Sequence, residues 1–592
     1  MAILPNTGRK SLKMRFVITV IYTVLIVGSV TMIYPFLLML SGSVKGSADT
    51  DRMDPVPQLL YNKQIRFARF IEDRYVSLTY LSYAYSQELT MNKDAQLPET
   101  NRNELATYDQ FLKEKAGSFP DHFYTIGSLA PMNNRVLPQN FRLFRDYLRK
   151  KCGTVDVYNK RYAATLANWN QFPGVLDQPI VKEFNYEVDP LVDELLRFKR
   201  SRPLDDKVIV NVDGWFYFAQ KFNPQVRSGK LKRVRVLTAT CPKGPDAAVW
   251  AEFVKHQVSC LFVRLDPQGR KIFRQYLVNN SSGNIALMNK GAGTNYKSFD
   301  AINTSYQDLR NSGLYTLYMN FITNICPVER LRLDTPATRY REYVGSATAI
   351  PPFVAREYEV FKRTERPWLV EIMTRNYRNV INYLAVYGRA ARNTFIFIGL
   401  SIAVALIVNP LAAYALSRFN LKSTYMILMF FLGTMAFPGA VTMIPNFLLL
   451  KHLHLLNSFW ALILPGAANG FAIFILKGFF DSIPKEIYES ALLDGAGEWT
   501  MFWRFTMALS KPILALITLS AFTAAYTAFM FALIICPDER MWTLMVWLFQ
   551  LQQDAHQSMI YAALVLAAIP TLLVFVLAQN TIMKGIVVPV EK

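Results

Sequence analysis

At 592 residues the chain exceeds what one compact core accommodates; its 52% hydrophobic content points to a membrane protein, and 18% charged residues excludes one lying wholly in lipid. The net charge of +21 raises a nucleic-acid or anionic-surface reading, set aside because lysine and arginine are spread among acids with no nucleic-acid motif beside them. The charge is segregated: residues 1–45 hold 5 Lys/Arg and no acid, residues 391–592 hold 11 Lys/Arg against 9 Asp/Glu, and the block between keeps 49 against 35, a surplus of 14.

The first fifteen residues are basic at Arg9, Lys10, Lys13 and Arg15, and residues 16–40 are almost uninterruptedly apolar. At about 1.5 Å per residue this stretch crosses a hydrocarbon core of about 30 Å. It lacks a small-residue cleavage site, so an uncleaved first span is expected, with the N-terminus held in the cytoplasm by its basic flank.

Residues 46–390 lose that hydropathy and are predicted to form a water-soluble α+β domain between the first and second spans. Residues 65–89 place Phe67, Phe70, Ile71, Tyr75, Leu78 and Leu81 on one helical face, and 141–148 and 191–198 look similar. Residues 208–212, 234–237 and 261–265 read as β-rich runs. Because the first span leaves the cytoplasm, this domain is expected outside it.

Chemistry in the block is sparse. The run from Gly291 to Ser298 suggests a phosphate loop, but Tyr296 stands where a glycine must precede Lys297. His122 and His256 are isolated, and Asp205-Asp206 reads as a solvated loop. Cys152, Cys241, Cys260 and Cys326 show no zinc-ligand spacing; disulfides in an oxidising compartment and buried free thiols both remain open. Asn279 and Asn303 begin glycosylation sequons that matter only in a glycosylating host. No catalytic residue, metal site or cofactor is expected.

From Asn393 the apolar segments return, with spans predicted at 394–416, 425–449, 459–480, 513–535 and 559–578, making six in all. Pro410, Pro438, Gly439, Pro465, Gly466 and Pro570 interrupt or edge them, which suits a bundle whose neighbouring helices satisfy the released backbone groups. Counting from an inside N-terminus places Arg418, Lys422, Lys485, Arg504, Lys511, Lys584 and Lys592 in the cytoplasm, agreeing with the positive-inside rule.

Between two spans lies a charged stretch, residues 484–512. A Pro484-Lys485-Glu486 start, the run Glu489-Ser490-Ala491-Leu492-Leu493-Asp494-Gly495-Ala496 and aromatics Trp499, Phe502, Trp503 and Phe505 predict two short helices joined at Gly495. Small Ala491 and Ala496 would permit close approach, and Glu489 and Asp494 would offer charge-assisted contacts to a basic partner.

This stretch resembles the signature loop of binding-protein-dependent ABC importer permeases, Glu-Ala-Ala, three residues, then Gly. Further matches point to the carbohydrate type, the subunit class that includes the smaller maltose-transporter permease: Tyr34-Pro35-Phe36 through Lys45, Asn382-Tyr383, Asn393-Thr394, Ala413-Tyr414-Ala415-Leu416-Ser417-Arg418, Pro445 with Asn457-Ser458, and Ala568-Ile569-Pro570. The resemblance covers residues 12–45 and about 375–592. It implies an α-helical polytopic inner-membrane permease of the type I importer fold, with no ATP site of its own. It also implies a second permease subunit, cytoplasmic ABC ATPases docked on loop 481–511 through Glu489, Ser490, Ala491, Asp494, Gly495 and Ala496, and an extracytoplasmic substrate-binding protein.

Three departures stand out. Ser490 replaces the first signature alanine, Ala508 stands where the family usually has proline, and the block 46–390 replaces a short outer loop. Phe437, Asn446, Tyr526 and Phe529, with Phe531, are candidates to line a sugar pathway by aromatic stacking and amide bonding, against interhelical packing as the plainer role. The family's Trp-Asn in the fifth span is Ala525-Tyr526-Thr527 here. The competing readings are a membrane-anchored extracytoplasmic sensor or binding protein, which would need a cytoplasmic signalling module the short loops do not supply, and an outer enzyme, for which no constellation is present.

Overall fold

The computed structural model describes residues 12–46, 48–49, 54–75, 78–99, 101–126, 139–166, 169, 172–305, 307–387, 389–419, 421–434 and 438–585. It divides into two compact units, one of Met1–Val44 with Thr374–Lys592 and one of Lys45–Met373.

The 45–373 unit is mainly helical around three apolar cores. The largest gathers Tyr108, Phe111, Trp250, Phe253, Phe262 and Tyr318; the others centre on Phe67, Phe70, Phe361 and Trp368 and on Phe144, Tyr158, Trp169 and Phe198. Among the described residues, strand pairing amounts to two antiparallel ribbons, Tyr124–Thr125 with Val208–Ile209 and Val263–Leu265 with Leu331–Leu333, and one isolated bridge between Thr240 and Arg332, so its β content is smaller than the sequence suggests. The 208–212 run stops at Ile209 because the Asn211 side chain accepts from the Gly214 N–H at 2.9 Å and caps a helix, Val212–Ala219. Residues 234–237 form no strand: the N–H and C=O of Val234 are both taken, at 2.8 Å each, by the buried side-chain amide of Gln220. In 261–265 a 3-10 turn, Cys260–Phe262, precedes the strand.

The 65–89 periodicity becomes two helices, Lys63–Tyr75 and Leu78–Tyr85; the other two expected helices lie within Gln139–Cys152 and Pro190–Ser201. The second of these starts on an Asp189 cap with Pro190 in the first turn. Cys152, Cys241, Cys260, Cys326 and Cys536 are all free thiols. The 291–298 run is a helix end: Gly293, at φ +67°, closes helix Ile285–Ala292, and Tyr296 donates its hydroxyl to Asp308 at 2.7 Å. A helix C-terminus points carbonyls, not N–H groups, at a ligand, so no phosphate cradle forms.

Among the described residues of the other unit three helices are long and apolar enough to cross a membrane: Met14–Gly42, Ala390–Arg418 and Gln557–Gln579. Two bent pairs, Phe459–Gly466 with Gly470–Asp481 at 54° and Glu498–Leu509 with Lys511–Thr527 at 83°, raise the count to five at most. The expected span 425–449 is instead two helices, Thr424–Thr434 and Gly439–His452, on either side of residues 435–437, which lie outside the described residues. The expected span 513–535 divides into Lys511–Thr527 and Met530–Ile535.

The breaks are held by neighbours. Asn409, buried midway along Ala390–Arg418, accepts from the Asn469 N–H at 2.8 Å and donates to the Ala467 carbonyl at 3.4 Å, satisfying backbone freed where the 54° bend interrupts its helix. Gly470 sits so near helix Thr424–Thr434 that a Cβ there would lie 2.7 Å from the Phe431 carbonyl oxygen, and one on Gly42 would lie 2.4 Å from the Tyr561 ring.

Candidate functional site

Loop 484–512 folds as two short helices with a left-handed glycine between them. The first, Lys485–Leu493, ends in paired closing bonds, Ala496 N–H to Ala491 C=O at 2.9 Å and Gly495 N–H to Leu492 C=O at 3.0 Å, with Gly495 at φ +80°. This termination needs a residue free to adopt positive φ. The second helix runs to Leu509 with a π-type stretch over Met501–Thr506, turns at Ser510 and continues as Lys511–Thr527. With Ala508 in place of the family proline, the helix carries on past that position and the 83° bend falls at Ser510, next to Pro512.

Helical spacing sorts the signature residues by face. Tyr488 and Ala491, three apart, are buried with Ile483, Met501 and Phe502 against Ala413, Tyr414, Leu476 and Phe480. Ala491, 3% exposed, packs within its own chain. Ala496 is half-buried, while Glu489, Ser490, Asp494 and Gly495 are exposed. Beside them Leu493 is 90% and Trp499 65% exposed, with Leu492 and Trp503 also exposed. The outer face is thus an apolar knob rimmed by two carboxylates, the kind of surface that fills a groove on a basic-edged partner.

The inner face is tied to the end of Ala390–Arg418. Tyr414 donates its hydroxyl to Glu498 at 2.8 Å, Ser417 donates to Asp481 at 2.7 Å, and Arg418 donates to the Phe480 carbonyl at 3.2 Å. The Arg418 guanidinium also lies over the Tyr488 ring, and Tyr488 shares a 2.7 Å hydrogen bond with Thr506. One cluster of contacts therefore joins both short helices to a long apolar helix and to the end of a bent pair. Residues 413–418 carry family resemblance, but nothing in their order reveals that they form this clamp.

The other quoted residues also act as ties. Asn393 donates to the Arg540 and Trp542 carbonyls at 2.8 and 3.1 Å, and Thr394 accepts from the Leu544 N–H at 2.7 Å. Asn457 accepts from the Asp538 N–H at 3.1 Å.

Of the pathway candidates, Asn446, Tyr526, Phe529 and Phe531 are among the described residues. Tyr526 is buried, stacked on Phe522 with ring centroids 5.7 Å apart, and donates its hydroxyl to the Ala567 carbonyl at 2.5 Å. Phe529 packs on Phe549 at 4.8 Å and, with Phe447 and Phe531, borders the core around Ala461 and Ile535. Asn446 is half-buried in Gly439–His452. Phe437 lies outside the described residues. Among the described residues no group of three or more His, Cys, Asp or Glu is arranged to hold a metal ion.

The family model described as "Binding-protein-dependent transport system inner membrane component" matches residues 391–587. The polygalacturonan/rhamnogalacturonan transport system permease protein YtcP of Bacillus subtilis is 34% identical over 226 residues, covering 35% of this chain and 78% of that protein. The diacetylchitobiose uptake system permease protein NgcG of Streptomyces coelicolor is 28% identical over 201 residues, 33% of this chain and 67% of that one. A chain in the crystal structure of a bacterial ABC transporter involved in the import of the acidic polysaccharide alginate aligns with a TM-score of 0.31 at 25% identity, covering 35% of this chain and 78% of that chain.

Proposed function

Because the chain belongs to the binding-protein-dependent transport system inner membrane components, as a multi-pass carbohydrate ABC permease, we propose that it forms half of a translocation pathway for an oligosaccharide and is driven through loop 484–512. In this reading a second permease subunit completes the pathway and ATP is hydrolysed on separate cytoplasmic ATPases. The chain lies in the cell's inner membrane with both termini and the loop inside, and residues 46–390 stand outside as the docking platform for a substrate-binding protein. Phe437, Asn446 and Phe529 keep a role in the pathway wall. The observation that carries the reading is the two-faced loop: Tyr488 and Ala491 clamped inward, Glu489, Leu493, Asp494 and Trp499 outward. The oligosaccharide class rests on the relatives named for polygalacturonan/rhamnogalacturonan and diacetylchitobiose. A sensor is not favoured, since its spans would have no use for an outward docking knob.

The test is reconstitution of the complete importer with Asp494→Lys and Leu493→Asp variants of this chain. Loss of ATPase association and of uptake, with the permease pair still assembled, is expected; full association and coupling in both variants would overturn the assignment. Deleting residues 55–350 is expected to abolish stimulation of ATP hydrolysis by the binding protein, and unchanged stimulation would remove the docking role.

A further inference from the structure

Residues 227–235 read Arg-Ser-Gly-Lys-Leu-Lys-Arg-Val-Arg, five cations and no acid in nine residues. The sequence reading that lysine and arginine are spread among acids fails here; a count over the whole block dilutes so short a run. Arg227, Lys230, Lys232, Arg233 and Arg235 are all exposed, and among the described residues none has a carboxylate within 4.0 Å. The buried or half-buried arginines Arg142, Arg339, Arg341 and Arg356 of the same unit are paired, with Asp73, Asp334, Asp213 and Asp205.

The run is built into the fold. The buried Gln220 amide clasps both backbone groups of Val234, Leu237 is buried, and the Leu237 carbonyl accepts from Arg341 at 3.1 Å. Arg233 and Arg235 both overlie Tyr217, each guanidinium carbon 5.6 Å from the ring centroid. Nearby, Lys221 lies 4.2 Å from the Phe218 ring and 4.9 Å from that of Phe222, which is 64% exposed; Lys221 itself pairs with Glu88 at 2.7 Å. Two like charges held over one ring repel, and a shared anion relieves that repulsion.

We propose that residues 227–235, with Tyr217 and Phe222, bind a linear carboxylated polysaccharide, an inference that rests on the carbohydrate-permease reading and names the substrate class within it. Guanidinium forks match carboxylates, the exposed Phe222 ring suits the C–H face of a sugar, and cations repeated along a segment pinned at Val234 suit a polymer with repeating charge. A lipid surface fits less well: it demands an inserted apolar face, whereas Leu231, Val234 and Val236 are half-buried.

Titration calorimetry on the full-length protein in neutral detergent, with an oligogalacturonate against a neutral galacto-oligosaccharide of equal length, tests this. Binding of the charged oligomer alone is expected, weakening between about 50 and about 500 mM salt. The R233Q/R235Q pair should weaken it by about tenfold, R233K/R235K by less, and Lys113→Gln on helix Arg102–Lys115 not at all. Matching melting temperatures exclude misfolding as the cause. Equal affinity for the neutral oligomer, an unaffected R233Q/R235Q protein, or binding only to vesicles of anionic lipid or to the substrate-binding protein would each overturn the assignment. If the oligogalacturonate fails to bind while the assembled importer still takes up a neutral oligosaccharide, the strip falls and the transport reading stands; loss of ATP-driven uptake for every sugar would count against the transport reading instead.

Discussion

The guanidinium carbon of Arg418 lies 3.3 Å from the ring centroid of Tyr488, so the last residue of a long apolar helix covers the first turns of a short charged one. A contact of this kind contributes about 0.5 to 2 kcal/mol, and the Arg418 bond to the Phe480 carbonyl adds a cation at a helix C-terminus. Replacing Arg418 with glutamine is expected to leave ATPase association intact while cutting uptake per ATP hydrolysed by several-fold. Unchanged coupling would show that the two helices are held by apolar packing alone.

Gly495 separates conformational from steric effects. Nothing lies within 4 Å of a Cβ built there, yet its φ is +80°. The cost of a side chain is thus backbone strain of about 1 kcal/mol, smaller for asparagine, which tolerates left-handed geometry, and larger for a β-branched residue. Uptake should rank Gly495→Asn above Gly495→Ala above Gly495→Val; a flat series would mean that the turn is not needed in this form.

Gly42 poses the opposite case, a steric one. A Cβ at this position would meet the Tyr561 ring at 2.4 Å, so Gly42→Ala should destabilise by about 1 to 3 kcal/mol. Adding Tyr561→Ala should recover part of that loss, because the two substitutions share one contact. Thermal melting of the four proteins measures the coupling, and simple additivity would refute the contact.

Asn409 is expected to be intolerant of leucine. The substitution leaves the Asn469 N–H and the Ala467 carbonyl without their present partner, at about 1 to 3 kcal/mol for a buried group. Lower detergent-solubilised yield and melting temperature are predicted, with partial recovery by Asn409→Gln; wild-type stability in the leucine variant would dismiss the tie.

His122 is fully buried, edge-on to Phe123 and Phe262, and burial, reinforced by the positive charges of Arg264, Lys199 and Arg339, holds it well below the ordinary histidine range. The unfolded chain therefore binds a proton that the folded one refuses. Stability contributed by the neutral ring is complete above about pH 6.5 and declines below it by up to about 1.4 kcal/mol per pH unit. The protection of amides in residues 121–126, after correction for the intrinsic pH dependence of exchange, should fall from pH 7 to 5, and His122→Phe should flatten that dependence. An equal pH response in both proteins would assign it elsewhere.

The membrane half was legible because hydropathy over long stretches and the spacing of the 489–496 run are local signals. What defeated the local reading was tertiary. Val234 is β-branched and flanked like a strand, yet a side-chain amide from Gln220 occupies the two backbone groups a strand would use. Ala491 looked like part of a partner surface because small residues permit close approach; only its position three residues after Tyr488, on a helix whose inner face is fixed by Tyr414 and Phe480, reveals that the approach is made within the chain. Proline and glycine marked the interrupted spans, but the bend angles of 54° and 83° depend on which neighbours receive the freed groups.

Asn409 and Ser417 stand on the same helix and each grips the arm Gly470–Asp481, one just before its start through Asn469 and the other at its end through Asp481. Two fastenings along two rods make a braced frame. Strain applied at one end of that frame is carried to the other rather than absorbed by bending between the two ties.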